Sequence, residues 1–231
     1  MTRRFFVGLL ITVWGLPGLG GASAQAAEGT GRPVRIACIG DSITFGLGIP
    51  AADATYPAQL QRLLGPGYVV KNFGHSGCTV TRDTFSHWPR GYIKQVECAD
   101  ALGFRPDIVI CNLGINDVSG FADPQRPDLV RDYLEIIAAF RALPSRPRFI
   151  LWHPLAPLFA GHPYYGHPVI AEINAMIATV ATRAKTETVD LYAPLAGHPE
   201  WFFADCIHPN AHGARRIAEI TRDYLRAPSR P

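Results

Sequence analysis

The stretch Val34-Arg35-Ile36-Ala37-Cys38-Ile39-Gly40-Asp41-Ser42 decides the fold. Its apolar run reads as a strand, yet it lacks the strict polar alternation of a sheet with one wet face, so a strand covered on both sides is expected. Gly40-Asp41-Ser42 then ends the run with turn-forming residues. The same reading fits Tyr68 to Phe73, Asp107 to Leu113, Arg148 to Trp152 and Thr188 to Tyr192. Between these runs, Tyr56 to Leu64, Tyr92 to Leu102, Leu129 to Leu143 and Val169 to Lys185 carry apolar residues at helical spacing, and Ala211 to Leu225 reads as a closing helix. Alternation of strand and helix predicts an α/β fold, a three-layer α/β/α sandwich around a five-stranded parallel sheet with right-handed crossovers. Ligands of such sheets bind beyond the carboxyl ends of the strands.

The 231-residue chain opens on a segment of a different kind. Thr2-Arg3-Arg4 is charged, Phe5 to Gly21 is uncharged and apolar, and Ala22-Ser23-Ala24 or Ala24-Gln25-Ala26 supplies a small-residue cleavage site, so residues 1–27 are expected to be a cleaved signal peptide. The Arg3-Arg4 pair leaves the general and the twin-arginine export routes both open. Gly15, Pro17, Gly18, Gly20 and Gly21 interrupt the apolar run, and no stable membrane insertion is expected after cleavage. Residues 28–231 suit a single domain, periplasmic or secreted. Without Arg3 and Arg4 the formal net charge falls from +3 to +1, with 20 Lys and Arg against 19 Asp and Glu, so no net field draws the chain to nucleic acid. Five cysteines cannot all pair within one chain. Cys38 and Cys111 lie in strand-like runs as buried thiols, Cys206 reads as a packing residue, and Cys78 and Cys98 flank a loop where a disulfide could close.

Four short segments carry residues suited to chemistry. Ser42 follows the first strand, Gly74 in Asn72-Phe73-Gly74-His75-Ser76-Gly77 ends the second, and Asn116 in Gly114-Ile115-Asn116-Asp117 follows the third. Asp205 and His208, in Asp205-Cys206-Ile207-His208-Pro209-Asn210, lie in the loop after the fifth. Each segment alone is also an ordinary turn. Taken together they fall on one edge of the predicted sheet. A serine becomes nucleophilic when a base takes its proton and a third group orients that base. Asp205 can accept the Nδ1 proton of His208 and leave Nε2 for Ser42, while a glycine N–H and an amide NH2 suit a developing oxyanion. Asp117 fixes the Asn116 loop or caps the next segment, and Asp41 either tunes the site or braces it. The remaining histidines show no paired ligand spacing, so no metal is expected. Gly40 to Gly46 lacks the Gly-x-Gly-x-x-Gly spacing of a dinucleotide site, and no cofactor is expected.

In their order and spread, Gly40-Asp41-Ser42, Gly74, Gly114-Ile115-Asn116-Asp117 and Asp205-Cys206-Ile207-His208 resemble the four blocks of the SGNH (GDSL-type) hydrolases, whose sheet is flavodoxin-like. The resemblance implies Ser42 as nucleophile, His208 as base supported by Asp205, and an oxyanion hole made by the Ser42 N–H, the Gly74 N–H and the Asn116 side chain. It implies a carboxylic ester hydrolase working through an acyl-enzyme. The flanking Tyr56-Pro57-Ala58-Gln59-Leu60, Arg105-Pro106-Asp107-Ile108-Val109 and Ile207-His208-Pro209-Asn210-Ala211-His212-Gly213 are similar to exported carbohydrate O-acetylesterases of the family, sialate O-acetylesterase-like proteins among them. Two loops on the active edge, residues 75–91 and 153–168, mix aromatic faces with hydrogen-bond donors, as a glycan ester substrate requires. Their candidates for substrate contact are His75, Trp88, His153, Tyr164 and Tyr165, alongside Asp41 and Asp117. An arylesterase, thioesterase or lysophospholipase would share the same catalytic residues, and a glycan-binding protein without turnover is the alternative from another class.

Overall fold

The computed structural model describes residues 31–82, 91–122, 128–153 and 157–227. The expected signal peptide and Trp88 lie outside the described residues. Five parallel strands, β1 (Val34–Gly40), β2 (Tyr68–Gly74), β3 (Ile108–Asn112), β4 (Arg148–Trp152) and β5 (Glu187–Val189), form one sheet in the order β2-β1-β3-β4-β5. Among the described residues seven helices accompany them: α1 (Ser42–Phe45), α2 (Tyr56–Leu64), α3 (Val96–Gly103), α4 (Leu129–Arg141), α5 (Pro168–Ala184), α6 (Tyr192–Leu195) and α7 (Ala211–Arg226).

The central strands β1, β3 and β4 are apolar over most of their length because both faces are covered, whereas the edge strand β2 exposes Lys71 and Asn72. Ala37, Ile39, Val109, Cys111, Phe149 and Leu151 face a core built with α3, α4 and α5. Their neighbours Ile36, Cys38, Ile110, Ile150 and Trp152 face the opposite core, built with α2 and α7. Tyr56 of α2 packs on Trp152 with ring centroids 4.8 Å apart. The expected α/β/α sandwich is the observed one.

Two boundaries differ from expectation. The last strand runs Glu187–Val189 rather than to Tyr192, because Asp190 accepts the Ala193 N–H and helps turn the chain into α6. The helix expected from Tyr92 begins only at Val96, after a 3-10 turn at Tyr92–Lys94. The disulfide also fails to form: Cys78 and Cys98 are buried free thiols, with Cys78 Sγ directed at the Gly40 carbonyl at 3.4 Å.

In-register pairing of Gly40 with both Gly74 and Asn112 brings the ends of β1, β2 and β3 level. Strand order reverses at β1, whose neighbours lead the chain in opposite directions across the sheet. Such a point opens a crevice for a ligand.

Candidate active site

Ser42 begins α1 directly beyond β1. Asp41 caps that helix, its Oδ1 accepting the Ile43 N–H at 2.9 Å. The turn demands a residue without a side chain at position 40, where a Cβ would stand 2.5 Å from the Asn112 carbonyl oxygen. The result presents Ser42 Oγ from a rigid, largely buried backbone.

The facing loop is pinned at both ends, the Phe203 N–H donating to His208 O and the Asn210 N–H to Trp201 O. Cys206, with φ of 64°, occupies the left-handed region and turns the loop back on itself. His208 Nδ1 then lies 2.7 Å from Asp205 Oδ2, and His208 Nε2 lies 2.8 Å from Ser42 Oγ. Asp205 Oδ1 accepts the backbone N–H groups of Ile207 and His208. Partial burial pushes the Asp205 carboxyl up, but the His208 and Ile207 hydrogen bonds outweigh it and hold its pKa below the usual range. An ionised Asp205 keeps the proton on Nδ1 and leaves Nε2 as acceptor for the serine hydroxyl.

The donors around Ser42 need one correction. The Gly74 N–H, expected to face an oxyanion, donates instead to Asn72 Oδ1 at 2.9 Å. This is an Asx turn, and its signal, an Asn two residues before a Gly, is present in the sequence. Gly74 is glycine for a different reason, since a Cβ there would stand 2.2 Å from the Phe45 amide nitrogen of α1. Beyond it, the turn His75–Cys78 sits on β1 through the His75 N–H, which donates to Gly40 O at 2.9 Å. Gly77 lies in this turn with φ of 78°. Among the described residues neither the Gly77 N–H nor the Ser42 N–H has a hydrogen-bond acceptor. Asn116 stands against the same turn, its Nδ2 donating to Cys78 O at 2.9 Å.

Two buried carboxyl groups underlie this surface. Asp117 accepts the Val80 N–H, the Thr81 N–H and the Thr81 hydroxyl, fastening the segment after β2 to the turn after β3. Burial lifts its pKa to about 6 against those hydrogen bonds. Asp41 is lifted to about 7, by burial above all, with the Ile43 N–H opposing and the charge of Asp117 adding. Both act beneath the site as braces and neither is exposed to touch a substrate.

Residues 38–216 match the GDSL-like Lipase/Acylhydrolase family. The chain belongs to that family. An acetylxylan esterase of Xylanibacter ruminicola is 35% identical over an alignment 206 residues long that covers 81% of this chain and 42% of that protein. The chain thus spans less than half the length of that relative. Among solved structures, the acetyl xylan esterase AlAXEase superposes with a TM-score of 0.62 at 20% identity, covering 83% of this chain and 99% of that one. A two-domain esterase active on acetylated mannans, co-crystallised with mannopentaose, gives 0.61 at 19% identity, covering 87% and 51%. At such identities these structures show the shared fold.

The remaining candidates on this GDSL-family chain divide by environment. His75 Nδ1 lies 3.0 Å from Glu97 Oε2, beside the turn that carries Gly77. His153 Nε2 lies 3.0 Å from the Asn174 carbonyl of α5, a contact that ties the end of β4 to that helix. Tyr164 packs on the core side between His162 and His167. Tyr165 is 60% exposed. His162, which sequence reasoning does not single out, stands close enough to the catalytic pair to feel both charges. Burial lowers its pKa first, with Asp205 raising it and His208 lowering it. Its Nδ1 accepts the Tyr164 N–H at 3.2 Å, which leaves the proton on Nε2. No local motif marks this residue; only the folding of its loop onto Cys206 brings it there.

Proposed function

We propose that the protein is a serine esterase that removes short acyl groups, acetyl above all, from a carbohydrate outside the cytoplasm. The observation that carries this reading is the continuous line Asp205–His208–Ser42, with links of 2.7 and 2.8 Å. As Ser42 Oγ attacks the ester carbonyl, His208 Nε2 takes its proton, and the oxyanion settles among the Ser42 N–H, the Gly77 N–H and the Asn116 side chain. Gly77 replaces Gly74 here because the Gly74 N–H is committed to Asn72. Collapse of the tetrahedral intermediate expels the sugar hydroxyl with the proton from His208. Water then adds to the acyl-enzyme, gives its proton to His208, and acetate leaves as Ser42 regains its hydrogen.

The acetylxylan esterase relative supports an acetylated carbohydrate as substrate. The N-terminal leader pattern supports export, and among the described residues no helix is long and apolar enough to cross a membrane. A second reading, cleavage of longer acyl esters, draws on Phe45 and Leu47, which are 52% and 41% exposed just beyond the nucleophile. One experiment separates them: hydrolysis of aryl esters from acetate to octanoate by the wild type and by Ser42→Ala. Activity confined to the wild type and falling steeply beyond acetate supports the acetylesterase. A maximum at octanoate favours the second reading, and equal rates from both proteins remove Ser42 from the mechanism.

A further inference from the structure

The Asp205–His208 loop has two sides. One presents His208 to Ser42; the other, through Cys206, forms part of the wall of an open cleft of about 380 Å³ that contains none of Ser42, Asp205 or His208. This volume falls in the range of about 300–1,000 Å³ usual for small-ligand sites. The cleft is built onto the catalytic loop. The Phe159 N–H donates to Cys206 O at 3.1 Å, Cys206 Sγ lies 3.3 Å from Ala160 O, and the ring of Phe159 packs on Phe202 at 4.8 Å. On its other flank Phe203 lies against Gly48, where a Cβ would stand 2.9 Å from the ring, in the segment that follows α1 and the nucleophile.

Its chemistry is specific. Tyr165 and Tyr192, 60% and 45% exposed, both line the cleft, and each side chain carries an aromatic ring with a phenol hydroxyl at its edge. Pro157 and Pro199 add flat apolar surface, and among the described residues no Asp, Glu, Lys, Arg or His belongs to the lining. Exposed rings with hydroxyls at their edges match a pyranose, which offers C–H faces for stacking and hydroxyls for hydrogen bonding. A carboxylate-bearing sugar would find no cation in this lining and would lose its hydration without return. We propose that this cleft is a subsite for an uncharged sugar ring of the same glycan that carries the scissile acetyl group. The inference rests on the carbohydrate reading above and narrows it to neutral polysaccharides, against the sialate-type substrates suggested by sequence resemblance.

The test is calorimetric titration of the full chain bearing Ser42→Ala with xylotetraose, mannotetraose, 3′-sialyllactose and octanoate. Binding of at least one neutral tetrasaccharide is expected, weakened about tenfold when Tyr192→Ala or Tyr165→Ala is added and largely kept in Tyr192→Phe. No neutral tetrasaccharide binding, or binding indifferent to both alanine substitutions, overturns the subsite. So does sialyllactose or octanoate binding that those substitutions abolish. Acetate release by the protein with Ser42 intact keeps the two readings apart. If the tyrosines govern oligosaccharide binding but the wild type frees no acetate from acetylated xylan or mannan, the subsite stands and the deacetylase reading falls. If acetate is freed but Tyr192→Ala leaves unchanged the ratio of kcat/KM on acetylated oligosaccharide to that on aryl acetate, the subsite falls alone.

Discussion

A donor that meets its acceptor only as negative charge develops contributes to turnover and little to folding. The proposed mechanism gives Asn116 this role: the residue is partly exposed, and its Nδ2 reaches the Cys78 carbonyl at 2.9 Å, in the turn that carries Gly77. Asn116→Ala is expected to lower kcat on aryl acetate by roughly a hundred- to a thousand-fold, with KM and the denaturation midpoint changing little. A folded variant with near-normal kcat would exclude Asn116 from the oxyanion hole. The backbone donors cannot be removed by side-chain substitution, so the choice between Gly74 and Gly77 needs a covalent transition-state mimic. After phosphonylation of Ser42, a crystal structure should place the phosphoryl oxygen about 3 Å from the Gly77 nitrogen, with Gly74 still bonded to Asn72. A phosphoryl oxygen on the Gly74 N–H instead would restore the assignment that the sequence resemblance implies.

At the scale of elements, α7 and the catalytic loop share one residue. Asn210 caps α7 by accepting the His212 and Gly213 N–H groups, while its Nδ2 donates to Glu200 O across the base of the loop. Asn210→Ala should therefore cost about 1–2 kcal/mol of stability and also loosen His208 two residues away. The expected signature is a lower kcat that persists at temperatures well below the melting transition, whereas Asp128→Ala, which removes the α4 cap alone, should lose similar stability and keep kcat. Equal kcat in both variants would show that Asn210 supports the helix only. The elements themselves are readable from sequence because each satisfies local rules. The α2 limits at Tyr56 and Leu64 follow from Pro57 in the first turn and Gly65 past the last. The line Ser42, His208, Asp205 is readable because segments that are ordinary turns singly all fall on one edge of the sheet that the strand pattern predicts. Interactions decided by loop conformation are not. The Asn72 side chain captures the Gly74 N–H, His153 Nε2 meets the Asn174 carbonyl of α5, and the loop that carries His162 is held on Cys206, more than forty positions away in sequence. No periodicity encodes such contacts.

For the molecule as a whole, the site exacts a cost from folding that depends on pH. Asp41 lies under the nucleophile with Oδ1 engaged by the Ile43 and Asn112 N–H groups and Oδ2 buried without a partner among the described residues. Its carboxyl titrates near pH 7 in the folded protein, raised by burial, against about 3.9 in an unfolded chain. Between those values the native state holds a proton that the unfolded state has released, so stability falls as pH rises through the window and levels off above about 7. Asp117 acts in the same direction over the lower part of that window. Asp107, Asp205 and Glu187, whose values are lowered by their partners, act in the opposite direction, losing stability as pH falls. A wild-type profile alone would mix these contributions, but the difference between wild type and Asp41→Asn leaves that of Asp41 together with its coupling to Asp117. The asparagine keeps an oxygen for the Ile43 N–H, so any packing penalty is a constant offset. Urea unfolding from pH 4 to pH 8 is expected to show the variant gaining on the wild type as pH rises, by a few kcal/mol in total, with the gain complete above about pH 7. A difference that stays flat across the range would mean that Asp41 is ionised in the folded protein throughout, and that the turn presenting Ser42 is held by a charge rather than by a buried neutral acid.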